Sequence, residues 1–197
     1  MKSYVFSVYF YKPEIMREEI KIHDKRFKVF ISTYDTRDGI KIFNAFTSMR
    51  GNEHDYKGYK IIAEHIDLLK EMVIKNDEVI FKTLSPIVIK QHEGDNKRTW
   101  YHSLENEEGR DLFVRNLKNQ LEIVFGDEEK RDFEEIGFEL IKNKMLKIKH
   151  YDIVVNCNHA IFKLRAKPYI LDYFYKSGIG ANRSRGFGFI DVMEGGV

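Results

Sequence analysis

The sequence predicts a mixed α+β protein, and three observations carry that prediction. Segments that alternate apolar and polar residues with a period of two lie between segments whose apolar residues recur at i, i+3, i+4 and i+7. Aromatic residues reach 14%, with 15 Phe and 11 Tyr against one Trp, a composition that favours sheets. Hydrophobic residues make up 43% of 197 residues, enough to bury a core in one large domain or two small ones.

Taken in order, Tyr4, Phe6, Val8 and Phe10 fall on one face of a strand and Phe27, Val29, Ile31 and Thr33 on one face of the next. Residues 4–33 therefore read as a hairpin with a long charged connection. Asp35-Thr36 offers an N-cap to a helix whose stripe is Ile42, Ala45, Phe46 and Met49 and whose stop lies near Gly51. A third strand is expected over 59–66, with His65 in it. Strand, strand, helix, strand is the order of a ferredoxin-like (RRM-like) unit that lacks its opening strand and helix. That unit is expected to span residues 1–76.

A second unit is expected over 77–197. Its first strand runs from Val79 through Phe81 to Thr83, meets Pro86 at a bulge or edge, and resumes over 87–89. Beyond a polar loop, a helix is expected from Glu107 to Val124, with Phe113, Leu117, Leu121 and Val124 on one face and Gly126 at its end. Two half-buried strands follow: Leu146 and Ile148 alternate with Lys147 and Lys149, and Phe162 and Leu164 alternate with Lys163 and Arg165. Pro168 opens a short helix that turns Ile170, Tyr173 and Phe174 inward and stops at Gly178. A glycine loop and a strand over 187–193 complete the order strand, helix, strand, strand, helix, strand. The fold class is therefore α+β, with tandem ferredoxin-like folds.

Net charge is only +2 although 32% of residues are charged, so a polyanion would have to be met by local clusters of Lys and Arg. The single cysteine, Cys157, excludes an intramolecular disulfide and a thiolate zinc cluster, and no apolar run approaches the ~18 residues of a membrane span. With no signal-peptide pattern at the amino end, the chain is expected in the cytoplasm, away from membranes. Seven histidines (His23, His54, His65, His92, His102, His150 and His159) show no metal-ligand or triad spacing, so neither metal nor cofactor is expected.

The sharpest motif is residues 178–189, where Gly178, Gly180, Gly186 and Gly188 surround Asn182, Arg183, Ser184 and Arg185. Nucleotide-cofactor loops run from strand to glycines to helix, whereas this loop follows a helix and precedes a strand. It can offer bare amides and two guanidinium groups to a phosphate chain. It can equally be a helix cap at Gly178 and a bulge at Gly186 to Gly188, with solvated arginines.

The string at Gly178 to Gly188 resembles the C-terminal glycine-rich signature of the CRISPR-associated repeat-processing endoribonucleases of the RAMP superfamily. The Leu84-Ser85-Pro86-Ile87-Val88 segment and the run over 161–177 agree with the resemblance. It implies tandem ferredoxin-like folds that bind single-stranded or hairpin repeat RNA and cleave it without metal through attack of a ribose 2′-OH. A non-cleaving RNA-binding subunit is the other reading. Further implied partners are other CRISPR effector subunits or a second copy of the chain. The loop residues, with Lys147, Lys149, Lys163 and Arg165 on a basic strand face, are expected to hold RNA. Losing both Arg183 and Arg185 is expected to weaken RNA binding without unfolding. In the family a catalytic histidine usually precedes a strand like residues 2–7. Here the sequence reads as starting beyond it, with apolar surface left for a partner or a missing segment. Lys2, which matches a family lysine, and His159, which opens the basic strand, are the candidate catalytic residues.

Overall fold

The computed structural model describes residues 4–16, 19–93, 98–126, 128–150 and 153–193. Strand β1 (Tyr4–Phe10) leads through two short paired strands, β2 (Glu14–Ile15) and β3 (Ile20–Lys21), to β4 (Phe27–Thr33). β1 and β4 form the expected antiparallel hairpin, with Phe6 opposite Ile31 and Val8 opposite Val29. The alternating apolar set is not the buried one, however. Val5 is 0% and Ser7 5% exposed, while Val8, Phe27 and Val29 are each exposed by 41–42%. The opposite face of β1 rests on the C-terminal half, so contact across the molecule decides which residues become interior.

Helix α1 (Thr36–Met49) starts where its cap predicts, the Asp35 carboxylate accepting from the amides of Arg37 and Asp38. Ile42, Phe46 and Met49 of its stripe are only half-buried, and Ala45 is exposed. The strand expected over 59–66 is shorter: β5 (Glu53–Tyr56) and β6 (Tyr59–Ile62) pair as a hairpin. Lys57 and Gly58 turn it with positive φ at both positions, the backbone that matches strand twist. His65 lies past the strand, in irregular chain.

The second half opens with β7 (Glu78–Thr83). A hairpin of β8 (Lys90–Glu93) and β9 (Arg98–Tyr101) stands where a polar loop was expected. Helix α2 (Glu107–Phe125) ends at Gly126, a short α3 (Lys130–Glu134) follows, and β10 (Gly137–His150) and β11 (Ile153–Arg165) form a long hairpin. Helix α4 (Pro168–Ser177) and the short β12 (Ile190–Val192) complete it. The sheet runs β10-β11-β7-β12, all antiparallel, placing the last strand beside the first as a ferredoxin-like unit requires.

Helices α2 and α4 cover one face of this sheet. Leu112, Phe113, Leu117 and Leu121 from α2 and Ile170 and Phe174 from α4 join Val79, Phe81, Phe162 and Leu164 in one buried cluster. Phe113 stands edge-on to Phe138 at 5.2 Å and to Phe162 at 6.2 Å. Burying each such side chain contributes on the order of 1.5–3 kcal/mol. A second cluster of Val88, Val155, Cys157 and Phe187 ties the outer end of the long hairpin to the glycine loop.

A bulge in β10 reassigns its lysines. Leu140 lies opposite Phe162, Ile141 is skipped, and Lys142 lies opposite Ile161. Residues directly opposite share a face, so Lys142, Lys144, Leu146 and Ile148 sit with His159, Cys157 and Val155. Lys147 and Lys149 face Asn156 and Val154, on the other side of the ladder from Lys163 and Arg165. The expected four-residue basic stripe is therefore split between two faces, because one extra residue inverts everything beyond it.

Two outcomes follow. A methyl group at Gly109 would collide with the Ser103 carbonyl oxygen, where α2 turns tightly over the preceding chain. Gly109→Ala should lower stability by about 1–3 kcal/mol in urea unfolding. Burial pushes the Cys157 thiol up to about 11, and its Sγ lies 3.5 Å from the Leu146 carbonyl it donates to. Because the thiolate is the reactive form, a disulfide reagent at pH 8 should modify native protein about a hundredfold more slowly than unfolded protein.

Candidate nucleic-acid interface

The glycine loop is bound into the molecule on both sides. Gly178 caps α4, its amide donating to Phe174 O at 2.9 Å. The Ile179 amide donates to Gly188 O, the Gly188 amide to Pro86 O, and the Ala181 amide to Val88 O, at 2.8–2.9 Å. Phe189 binds Ser85 through Oγ, and its carbonyl accepts from the amides of Leu84 and Ser85. The amides of Arg185 and Gly186 close a 3-10 turn over Arg183–Arg185, with Asn182 in the left-handed region before it. The expectation of a row of bare amides is thus corrected: the amides of Gly178, Ile179, Ala181, Arg185, Gly186, Gly188 and Phe189 are spent internally. Gly188 also explains why β12 begins only at Ile190. Its φ of +71° breaks the extended run, and a Cβ there would strike the Ile179 carbonyl.

The two arginines part company. The Arg183 Nη1 lies 3.4–3.5 Å from the carbonyl oxygens of Ser177 and Gly178 and the hydroxyls of Ser177 and Tyr173. A guanidinium there satisfies the open carbonyls of α4 and suits its negative end. Its removal is expected to loosen the loop, contrary to the sequence-based expectation for the double variant. Arg185 is exposed and has no ion pair with any described residue. Ser184 is half-buried in the same turn.

Arg185 stands at one wall of a cleft of about 320 Å³. Residues 6–8 of β1 form another wall, the bend at 84–86 and Ile148 the rest. Phe187, on the floor, belongs to the cluster that contains Cys157. His159 is exposed two residues along β11 on the same face as Cys157, about 7 Å further. Its Nδ1 is 2.8 Å from Thr83 Oγ1, which also accepts the Ala160 amide at 3.0 Å. Opposite His159 lies the exposed Lys144, with Lys142 beside it on that face.

Other expected residues lie differently. Lys163 Nζ sits 3.0 Å from Glu139 and 3.3 Å from Glu78. Hydrogen bonds to Glu139 and then Glu78 hold its ammonium above the usual lysine range, and the two carboxylates cancel its pull on an anion. Arg165 is exposed at the far end of β11. Lys147 and Lys149 are exposed on the opposite face, and Lys2 lies outside the described residues. Sequence reading missed the wall formed by residues 6–8 and the pair Lys142 and Lys144. The signal for that pair was the change in lysine spacing, from 142 and 144 to 147 and 149, which one period cannot accommodate.

The family model for the C-terminal region of CRISPR associated protein Cas6 matches residues 69–192. The CRISPR-associated endoribonuclease Cas6 1 of Methanocaldococcus jannaschii is 30% identical over 119 residues, 58% of this chain and 45% of that protein, so the match spans under half of the relative's length. Among solved structures, the product of a Cas6-related gene from Pyrococcus furiosus superposes with TM-score 0.82 and 26% identity, over 98% of this chain and 79% of that one. An RAMP protein binding different RNA substrates superposes with TM-score 0.78 at 20% identity, over 96% of this chain and 79% of that one. These likenesses make the fold α+β with tandem ferredoxin-like folds. With the match covering more than half its residues, this chain belongs to the Cas6 family of CRISPR-associated proteins.

Proposed function

We propose that this protein binds CRISPR repeat RNA and cleaves it without metal, through attack of a ribose 2′-OH on the adjacent phosphate to leave a 2′,3′-cyclic phosphate and a 5′-OH. The observation that carries the reading is Arg185, exposed on the glycine loop at a cleft whose neighbouring face bears Lys142, Lys144 and His159. Such a face attracts a phosphate chain, and Arg adds bidentate contacts. The relatives' names support the choice of RNA: one is an endoribonuclease and another binds RNA substrates. The division we propose, residues 1–76 and 77–197, puts the cleft at the seam of two units.

Cleavage needs a proton acceptor for the 2′-OH and donors for the developing phosphorane charge. Lys2 and His159 are our candidates, with Lys144 beside the histidine. One observation favours a protein that holds RNA without cutting it. Thr83 Oγ1 already accepts the Ala160 amide, so its own hydrogen is free to meet His159 Nδ1. When the hydroxyl donates in this contact, the imidazole proton sits on Nε2 and the ring is a donor to phosphate rather than a base.

Incubation of end-labelled repeat RNA in EDTA separates the two readings. Cleavage to a cyclic-phosphate product, abolished in His159→Ala, is the result expected of an enzyme using this ring; retardation without cleavage identifies a binding subunit. In either case Arg185→Ala should weaken binding by roughly tenfold and lower the slope of log affinity against log salt by about one, with unchanged melting temperature. Arg183→Ala should instead lower the melting temperature. Equal affinity of Arg185→Ala and the parent protein would remove this arginine from the interface.

A further inference from the structure

The cleft beside Arg185 offers more than charge. We infer that it is a pocket for one unpaired nucleobase of the bound RNA, with a flanking phosphate on Arg185. Its volume of about 320 Å³ falls at the lower end of the ~300–1,000 Å³ typical of small-molecule sites, room for one planar ring system and not for a base pair. Phe6 supplies an aromatic ring, which packs against the bare backbone of Gly186, where a Cβ would come within 3.2 Å of it. Val8, Leu84, Pro86 and Ile148 add further apolar wall. Such a surface suits the face of a base, and side chains read unpaired RNA bases by stacking on them.

The polar atoms suit the edge of a base. Ser85 is among the lining residues, and its Oγ accepts the Phe189 amide at 2.9 Å, so its own hydrogen remains available to a base carbonyl that reaches it. Arg185, at the rim, has no acidic partner among the described residues and stands where the phosphate of an inserted nucleotide would emerge. A largely apolar slot, whose cation has no ion pair with a described residue, complements a nucleotide better than a protein side chain, since no carboxylate among the described residues lines it to match a basic partner. An RNA bound here must be single-stranded at this nucleotide.

This inference rests on repeat RNA being the ligand of the loop, and the test keeps the two apart. Repeat RNAs carrying one abasic nucleotide, moved along the sequence, are titrated against the parent protein and against Val8→Trp, which fills the slot. Val8 is 41% exposed, so the larger side chain should not disturb the core, and melting temperature checks that. One abasic position should weaken binding to the parent protein by roughly five- to a hundredfold, the effect of losing one stacked base. Val8→Trp should bind intact RNA equally weakly and be indifferent to that position. Phe6→Leu, a conservative change, should give a smaller loss at the same position. If the parent protein binds repeat RNA tightly but no abasic position separates it from Val8→Trp and Phe6→Leu, the pocket is overturned while the RNA reading stands. If the parent protein retards none of the RNAs, both fall.

Discussion

A run of positive-φ glycines lets one stretch of backbone pass within contact distance of several others, and the rest of the molecule is arranged around that passage. Gly178 would bring a Cβ to 2.8 Å from Val5 of β1, and the Ile179 and Gly188 amides hold the two limbs of the loop to each other and to Pro86. Through these contacts β1 is seated on α4 and on the 3-10 turn. The seating buries Val5 and Ser7 and leaves Phe6 and Val8 to wall the cleft. A side chain at Gly178, Gly180 or Gly188 would be opposed by backbone carbonyl oxygens, which have no rotamer through which to retreat.

The electrostatics of the site follow from which cations are already satisfied. Arg183 is committed to the carbonyls of Ser177 and Gly178, and Lys163 to Glu139 and Glu78. A carboxylate at about 3 Å offsets the long-range attraction that an ammonium would otherwise exert. Arg185, Lys142 and Lys144 are exposed without ion pairs to described residues, so they are the cations beside the cleft whose charge is left uncancelled. A net charge of only +2 conceals this local arrangement.

Local signals in the chain were sufficient for much of the fold. Asp35 at the start of α1, Gly126 at the end of α2, and Pro168 and Gly178 at the ends of α4 act within one helical turn, and each does what its backbone chemistry requires. The β8–β9 hairpin escaped because its polar residues carry no strong alternation, and the Lys57-Gly58 turn because its strands are four residues each. The glycine motif marked the candidate region, but which of its arginines caps α4 and which stays exposed was set by neighbours from other elements.

By itself, then, the sequence determined the α+β class and, apart from the β8–β9 hairpin and α3, the strand and helix order after residue 77, and it singled out residues 178–189 as a candidate, since propensity, capping and motif spacing are local properties of the chain. Tertiary structure decided which face of β1 is interior, which lysines share a face after the Ile141 bulge, and which arginine is free. Those outcomes depend on contacts between residues far apart in sequence, such as Val5 with Gly178 and Lys163 with Glu78, and on a register that a single extra residue inverts.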